Sequence, residues 1–480
     1  MSQGFRAVVV TAVAALLFGA CASSGPTTTP SESAGAPSET SSQAAASATA
    51  AAGAPVEIRW FCCLGGGDAP EQVAVEKKVA EAFSAAHPNI KLTFEAVPYD
   101  GARDALATQI ASGNGPDIVG PVGIGGANAF PNQWLDLTDL IKAGNYDLSQ
   151  FPSNIVDIYK MSAEGQVGIP FAIYPSALFY KKSLFQEAGL NEPPHKWGDP
   201  YVMPDGSKVP WDYATVRKIA LLLTVDKNGK DATQPGFDPR KIVQYGFEPQ
   251  RDDMRGLGAY FGSGSLLAAD GKTVQVPAAW AAGWKWFYDS MWKDHFVETG
   301  PVYSSTEFNG GGYTFFTGKV AMSENFLWST YGVADAGDDW DLAAIPAYDG
   351  QITAAFNADT FRILKSTKHP QEAFTALTYL LGDGSGDLLQ TYGGMPARPA
   401  EQAAFFDAKS KEFKQKVDWQ VAIDGIQYAD NPNFEAPMPK YNESLDLIVK
   451  YGTKWTSTPG LDMDKEIANL KTELQAIWDK

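Results

Sequence analysis

The sequence predicts an α/β fold that begins with a parallel sheet covered by helices. Three segments between residues 56 and 122 have the composition of strands, and a helical segment separates each strand from the next. Strands that alternate with helices are typical of parallel sheets, because each crossover helix packs on a face of the sheet. With 480 residues and 44% hydrophobic side chains, the chain is long enough for two or three domains with their own cores.

Hydrophobic periodicity predicts the first helix and the strands on either side of it. The first strand is "VEIRWF", which is apolar and rich in β-formers. In the following "PEQVAVEKKVAEAFSAAHP", a helix places Val75, Val79, Phe83 and Ala86 on one face and ends before Pro88. The next segment, "IKLTFEAV", alternates as a second strand.

A second helix and a third strand complete this unit, and two loops at its edge are candidate binding loops. The helix "ARDALATQIASG" ends at Gly113, and the strand "PDIVGPV" follows. In parallel sheets ligands bind beyond the carboxyl ends of the strands, where "CCLGGGD" and "GPVGIGGANA" are expected to lie. The second loop has Gly123 and Gly125 but Asn128 in place of a third glycine, so it does not match a dinucleotide fingerprint.

Motifs for phosphate or metal binding fail on their spacing. The stretch "FFTGKVAMSENFLW" contains the pair Gly318 and Lys319, and Gly312 lies three residues before the stretch. A nucleotide-binding loop needs four residues between its glycines and a Ser or Thr after the Lys, whereas here five residues separate the glycines and Val320 follows the Lys. "TVDKNGKDATQPGFD" lacks the glycine and the final glutamate of a calcium loop and is interpreted as an Asn-Gly turn. The four His are scattered. We therefore expect neither a metal nor a cofactor.

Net charge limits the class of ligand and partner. The formal charge of −18 disfavours binding to nucleic acid or to anionic lipid and fits neutral or cationic ligands. Aromatic residues make up 12% of the chain, which is compatible with stacking on sugars.

The amino terminus resembles a bacterial lipoprotein signal. Arg6 precedes the apolar run "AVVVTAVAALLFGA", which is too short for a confident membrane span, and Cys21 follows it directly. We expect residues 1–20 to be the signal peptide and Cys21 to be acylated, although Phe18 stands where leucine is usual. The alternative is an ordinary cleaved signal followed by an unrelated cysteine.

Residues 21–54 are predicted to be a flexible tether, since they consist largely of Ser, Thr, Ala, Pro and Gly. Together with the lipid, the tether would hold a folded body at the outer face of the cytoplasmic membrane. Past the tether lie two adjacent cysteines, Cys62 and Cys63. Outside the cytoplasm they either form a vicinal disulfide or remain two partly buried thiols at the end of a strand.

Four further stretches occur in a fixed order: "GNGPDIV", "GIPFAIYPSALFYKKSLFQEAGL", "FFTGKVAM" with a Trp six residues past Met322, and "LKSTKHPQEAFTALTYLL". In this order they resemble the extracellular solute-binding proteins that serve carbohydrate ABC transporters, the group that contains maltose-binding protein. Each stretch is weak evidence by itself, whereas their order and spacing cover nearly all of residues 55–480.

The resemblance implies a two-lobe fold of the periplasmic-binding-protein type. Each lobe is expected to be a mainly parallel sheet flanked by helices, with hinge strands crossing between the lobes. Lobe 1 would comprise residues 55–172 and 358–392, and lobe 2 would comprise residues 173–357 and 393–480. The family implies a monomer without enzymatic activity that holds a sugar between the lobes and docks on the permease subunits of an importer.

The resemblance also supplies candidate ligand-binding residues. Most lie at the crossings between lobes, in the stretch around the late lobe-two motif, or in the loops at the sheet edge. They are Tyr174, Trp328, Asn357, Asp359, Arg398, Glu324, Asn325, Arg251, Asp252, Gly123, Tyr441 and Cys63. By this resemblance, Gly318 and Lys319 form a turn before a strand that leads Trp328 into the cleft. The alternative for Trp328 is a place in the core.

One departure from maltose-binding protein bears on specificity. After "PDI" that protein has a tryptophan and an acid-base pair for its sugar, whereas this sequence has Pro121, Val122, Gly123 and Ile124. Specificity for maltodextrin is therefore not implied, and the ligand is expected to be another mono- or oligosaccharide or a sugar derivative. Two other classes compete with a receptor: a secreted polysaccharide-active enzyme and a surface adhesion module.

Overall fold

The computed structural model describes residues 54–161, 164–250, 254–308, 314–331, 339–413, 415–430 and 436–480. The predicted signal peptide, almost all of the tether and the lipidation site Cys21 lie outside these ranges, as do the candidate site residues Arg251 and Asp252. Residues 52–480 form a single compact unit.

The strands, numbered β1 to β14 in chain order over the described ranges, are Val56–Cys62, Ile90–Ala96, Ile118–Val122, Lys160–Met161, Gly165–Gln166, Ala172–Lys181, Tyr201–Val202, Lys208–Val209, Val225–Asp226, Ile242–Gln244, Met322–Phe326, Trp340–Ala343, Phe356–Ile363 and Met395–Pro396. The helices, numbered α1 to α16 over the same ranges, are Pro70–Ala86, Tyr99–Ala111, Ile124–Asn128, Thr138–Ala143, Ser153–Asp157, Lys182–Glu187, Tyr213–Leu223, Met254–Ala259, Ala278–Trp292, Gly300–Tyr303, Pro370–Leu380, Ser385–Tyr392, Pro399–Glu412, Gln420–Gly425, Tyr441–Ser457 and Met463–Trp478.

The predicted parallel unit is confirmed. Strand β1 pairs in parallel with β2 along its whole length and with β3 at Trp60 and Phe61. Helices α1 and α2 form the two crossovers, and β3 ends directly before Gly123, the residue that precedes α3. The loops after β1 and β3 therefore lie at the same edge of the sheet.

The buried face of α1 differs in part from the predicted one. Val79 and Phe83 are buried, but Val75 is half-buried and Ala86 is exposed in the last turn. The buried stripe instead includes Glu76, one turn before Val79 and Ala80. Hydrophobicity alone missed this position because a carboxyl group is rarely buried without a specific partner.

A long central strand, β6, joins two groups of strands. The first four residues of β6 pair with β13. Residues from Ser176 onward pair with β11, and residues from Leu178 onward pair with β12 as well. All ten residues of β6 are buried, which is why "AIYPSALFYK" is almost continuously apolar. The mixed eight-stranded sheet runs β11-β6-β13-β3-β1-β2, with β12 and β14 also paired to β6.

The turns predicted from glycine are present. Gly318 has a φ of 78° and precedes β11 by a few residues, so the Gly-Lys pair of the "FFTGKVAM" stretch makes a turn and no phosphate loop. Gly229 has a φ of 76° in the Asn-Gly turn. The carboxylate of Asp226 there accepts hydrogen bonds from the backbone of Asn228, Lys230 and Asp238, so this acid orders a loop and is not arranged as a calcium ligand.

A second apolar core lies apart from the sheet. Trp280 and Trp284 of α9 pack there with Trp455 of α15 and Leu470 of α16. No helix in the described part of the chain combines the length and apolar character needed to cross a bilayer.

Candidate functional site

An aromatic pair lies where β6 and β13 meet. Tyr174 of β6 is paired in register with Asn357 of β13. The ring of Trp328 lies 5.2 Å from that of Tyr174 at an interplanar angle of 58°, and 4.2 Å from the ring of Phe326. Tyr174 is buried, whereas Trp328 is half-buried. Trp328 therefore packs on two neighbouring rings and keeps part of its side chain exposed.

Asn325 holds the turn that carries Trp328. Its Oδ1 accepts hydrogen bonds from the backbone N–H of Phe326, at 2.9 Å, and from Oγ of Ser329, at 2.7 Å. These bonds fix the chain as it leaves β11 and enters a short 3₁₀ helix over Leu327–Tyr331. The side chain of Asn325 thus positions Trp328.

Asp359 places a carboxyl group at the edge where β1 and β3 end. A β-carbon added to Gly123 would lie 3.0 Å from Oδ1 of Asp359, and one added to Gly65 would lie 3.2 Å from Oδ2. A larger residue at either position would therefore crowd the carboxyl group of Asp359. Burial raises the pKa of Asp359 to about 7, so near neutral pH the group exists in both protonation states and can donate or accept a hydrogen bond.

A small cavity of about 70 Å³ connects this region to α15. Its lining combines amide, aromatic and apolar side chains: Ile124, Gly125, Asn128, Met254, Arg255, Leu266, Trp284, Asn357, Met438, Tyr441, Leu445 and Ile448. A β-carbon on Gly125 would lie 3.7 Å from the hydroxyl of Tyr441, so α3 and α15 approach closely here. The structure thus gathers Tyr441 and Asn357 around one space.

Glu324 and Arg398 are engaged elsewhere. The hydroxyl of Tyr213 donates a 2.5 Å hydrogen bond to Glu324, whose pKa burial raises to about 8. Arg398 donates hydrogen bonds to the side chains of Gln150 and Tyr146 and to the carbonyl of Leu381. Its guanidinium also lies over the ring of Phe151. These contacts do not link either residue to Tyr174 or Trp328, and their roles in binding stay predictions.

Cys62 and Cys63 form a vicinal disulfide at the end of β1, and both are buried. Glu76 lies beside them: the hydroxyl of Tyr392 donates a hydrogen bond to its carboxyl group, and burial raises its pKa to about 8. The ligand atoms of Cys62, Cys63 and Glu76 lie within 4.8 Å of one another. In the disulfide, however, the sulfurs are not thiolates, the form that binds a metal.

A second and larger cavity lies farther along β13. It has a volume of about 870 Å³ and is lined in part by Asn128, Trp134, Phe356 and Arg362. The register of β13 against β3 shifts between Thr360 and Arg362, an irregularity of the kind that redirects a side chain. Sequence reasoning missed Arg362, although a lone arginine in the apolar run "FRIL" was a usable signal.

Comparison with known proteins gives one family and a consistent fold. Residues 66–387 match the family described as bacterial extracellular solute-binding protein. The chain is 28% identical over 340 residues to a protein of Brucella abortus named as a binding protein, covering 68% of this chain and 73% of that one. It is 23% identical over 329 residues to an uncharacterized lipoprotein of Streptomyces antibioticus, covering 65% and 64% of the two chains.

A solved structure supports the same architecture. The ABC substrate-binding protein Lmo0181 from Listeria monocytogenes, in complex with cycloalternan, aligns with a TM-score of 0.67 at 17% identity. The alignment covers 88% of this chain and 98% of that chain. At this level of identity the likeness concerns the fold.

Proposed function

The chain belongs to the bacterial extracellular solute-binding protein family, and we propose that it is the receptor of an ABC importer that holds a carbohydrate beside Trp328 and Tyr174. The observation that carries the proposal is the aromatic pair next to Asn357. Sugars bind proteins through this combination, since their C–H faces pack on aromatic rings and their hydroxyls bond to amides and carboxyls. The Listeria protein of similar fold was solved with cycloalternan, which agrees with a ligand of this class.

We propose that the two lobes close around the ligand by bending at β6, β13 and β14. The predicted lobe boundaries fall at the start of β6, inside β13 and just before β14. Strands β13 and β14 both pair with β6, where Ala172 lies opposite both Asp359 and Pro396. A hinge made of a few adjacent strands lets the two lobes rotate as rigid bodies. Lobe 1 comprises residues 55–172 and 358–392, and lobe 2 comprises residues 173–357 and 393–480. The closed form is the one that docks on the permease.

The family and the sequence of the amino terminus support a proposed location. Members of this family are extracellular, and the Streptomyces relative is named a lipoprotein. We propose that Cys21 carries the lipid and that the tether to residue 54 holds a monomeric receptor at the outer face of the cytoplasmic membrane.

We propose that the bound sugar is not chemically changed. The family consists of binding proteins. A glycosidase needs two carboxyl groups facing each other across the bond that is cleaved. Asp359 lies close to Gly123, and a second predicted acid, Glu324, is hydrogen-bonded to Tyr213, while the third, Asp252, lies outside the described residues.

A thermal-melt screen followed by product analysis tests the proposal. The purified protein is heated with neutral mono- and oligosaccharides, and with amino acids and short peptides as non-sugar solutes. A sugar present at a hundred times its Kd should stabilise the protein by about 2.7 kcal/mol. Recovery of that sugar unchanged supports the receptor, whereas cleavage supports the enzyme. Stabilisation by the non-sugar panel alone would contradict the carbohydrate assignment.

A further inference from the structure

Arg362 is a buried cation without the hydrogen bonds that usually accompany such a group. Only 1% of the residue is exposed, and its Nε and Nη1 have no hydrogen-bond partner among the described residues. Removing a guanidinium from water without giving it hydrogen-bond acceptors lowers the free energy of unfolding, so buried guanidinium groups are usually paired. Burial also lowers the pKa of Arg362 to about 10, at which the group still carries its charge at neutral pH.

The side chain of Arg362 borders the 870 Å³ cavity and is held over an aromatic surface. Its guanidinium carbon lies 5.4 Å from the centre of the Trp134 ring. The indole N–H of Trp134 donates a 3.0 Å hydrogen bond to the carbonyl of Ala127, which fixes the ring. Arginine and its aromatic support are thus oriented in advance, as a site for a planar anion requires.

The nearby acid Glu164 does not take the place of a ligand. Its two carboxylate oxygens accept hydrogen bonds from the backbone N–H groups of Asn132, at 2.9 Å, and Trp134, at 3.1 Å. The ammonium group of Lys365 lies 3.9 Å away from it. The acid is therefore already bonded, yet its charge raises the pKa of Arg362 and disfavours a doubly charged anion in the same cavity.

Other charges around the cavity are compensated or peripheral. Asp430 is bonded to the guanidinium of Arg255 at 2.7 Å. Asp157 and Lys160 also border the cavity and have opposite signs. What is unsatisfied at this place is the pair of guanidinium N–H groups of Arg362, which lack acceptor oxygens in the described part of the chain.

We propose that this cavity is a second ligand site, which binds a solute carrying a carboxylate group that pairs with Arg362 over Trp134. A carboxylate matches the planar fork of a guanidinium with two parallel hydrogen bonds, and it carries a single charge. Cavity volumes of this order are typical of small-molecule sites. The amides of Asn128 and Asn154 line the same space and can bind hydroxyls on the solute. Neither Trp328 nor Tyr174 lines this cavity, so the solute and the carbohydrate proposed beside Trp328 would occupy different places.

The test compares carboxylates with their neutral analogues on the parent protein and on Arg362→Met. The probes are D-glucuronate against D-glucose and D-gluconate against D-sorbitol, in thermal melts and titration calorimetry. We expect at least one carboxylate to bind the parent and to bind Arg362→Met roughly 10- to 150-fold more weakly. Trp328→Ala should keep the response to that carboxylate, because Trp328 is not part of this cavity.

A second measurement separates a ligand site from a structural arginine. Methionine at position 362 removes a buried charge without hydrogen-bond partners, so the unliganded melting temperature should not fall. Arg398→Met is the matched control: it removes an arginine with several hydrogen bonds and should lower the melting temperature. A fall of equal size in Arg362→Met, no response to any carboxylate, or an undiminished response in Arg362→Met would overturn the proposal. Loss of sugar binding with a retained Arg362-dependent carboxylate response would refute only the proposed function.

Discussion

The ring of Trp328 lies 5.2 Å from the ring of Tyr174, with the two planes inclined at 58°. The first residue follows β11 and the second belongs to β6, and these strands are neighbours in the sheet. Because Tyr174 is buried and Trp328 is half-buried, the tyrosine supports the tryptophan from behind. An aromatic surface supported in this way loses little entropy when a sugar packs against it.

Gly123→Ala should weaken carbohydrate binding. The φ of Gly123 is −76°, which alanine also adopts, so the effect is purely one of space. The new methyl group would lie 3.0 Å from Oδ1 of Asp359 and displace that carboxyl group. Loss of one hydrogen bond between that carboxyl group and the sugar costs about 0.5–1.5 kcal/mol, equivalent to roughly 2- to 13-fold in affinity.

A matched glycine substitution serves as the control for this prediction. A β-carbon on Gly101 would meet no heavy atom within 4 Å, so Gly101→Ala should leave affinity unchanged. Titration calorimetry of both variants with the same sugar gives the comparison. Equal affinities would show that the contact between Gly123 and Asp359 does not shape the site.

Glu324→Gln should flatten the pH dependence of stability. The ordinary pKa of this carboxyl group is 4.5, and burial raises it to about 8 in the folded protein. Between those pH values the folded protein keeps a proton that the unfolded chain has released, so the free energy of unfolding falls as pH rises from about 5 to about 8. Glutamine keeps an acceptor for Tyr213 without the charge.

Glu324→Gln should therefore have a higher melting temperature than the parent at pH 8. The difference corresponds to a free energy of unfolding on the order of 3 kcal/mol. The difference should shrink towards pH 5. Glu76 and Asp359, whose pKa values are also raised by burial, contribute a slope of the same sign in both proteins. A difference that stays constant across this range would refute the assignment of a buried, neutral Glu324.

Reduction of the Cys62–Cys63 disulfide should change the fold little. The two residues are adjacent, so the bond closes almost no chain and lacks the entropic stabilisation of a long-range bridge. We expect the melting temperature to fall by less than about 2 °C. Sugar affinity should change, because Gly65 follows in the same loop and lies so near Asp359 that a β-carbon on it would be 3.2 Å from Oδ2. Mass spectrometry verifies reduction, and a large loss of stability would contradict this limited role.

Cys21→Ala should release the protein from the membrane or leave it unprocessed. The reason is the apolar run that ends in Gly-Ala-Cys before a tether rich in Ser, Thr and Ala. Membrane fractionation with immunoblotting reports both location and size. If the variant fractionates and migrates like the parent, Cys21 is not the lipidated residue.

The order of strands and helices in the first 70 residues of the body could be read from the sequence, because apolar periodicity directly reflects which side of an element is covered. The carboxyl edge of the sheet followed from the same pattern, and Gly123 and Asp359 do meet there. Family resemblance implied strands that cross between two lobes, but it did not predict the pairing of β6 with β13 and β11, since contacts between distant segments leave no local signal.

Buried polar groups were the main limit of the sequence analysis. Glu76 is followed by two lysines and Arg362 lies between Phe361 and Ile363, and in neither case does the local sequence show that the charge is buried. Arg398 was matched to the site by position, whereas its guanidinium bonds to Gln150 and Tyr146. The direction of a long side chain depends on partners hundreds of residues away, which sequence spacing does not reveal.

Titration calorimetry of the parent and of Trp328→Ala, with the carbohydrate found in the melt screen, tests the central claim most directly. The half-buried Trp328 should contribute about 1–3 kcal/mol to binding, so the variant should bind roughly 5- to 150-fold more weakly while its unliganded melt moves little. Trp340→Ala is the contrasting variant, because Trp340 is fully buried and its loss should lower the melting temperature strongly. Unchanged affinity in Trp328→Ala, or failure of that variant to fold, would contradict a carbohydrate site at this residue.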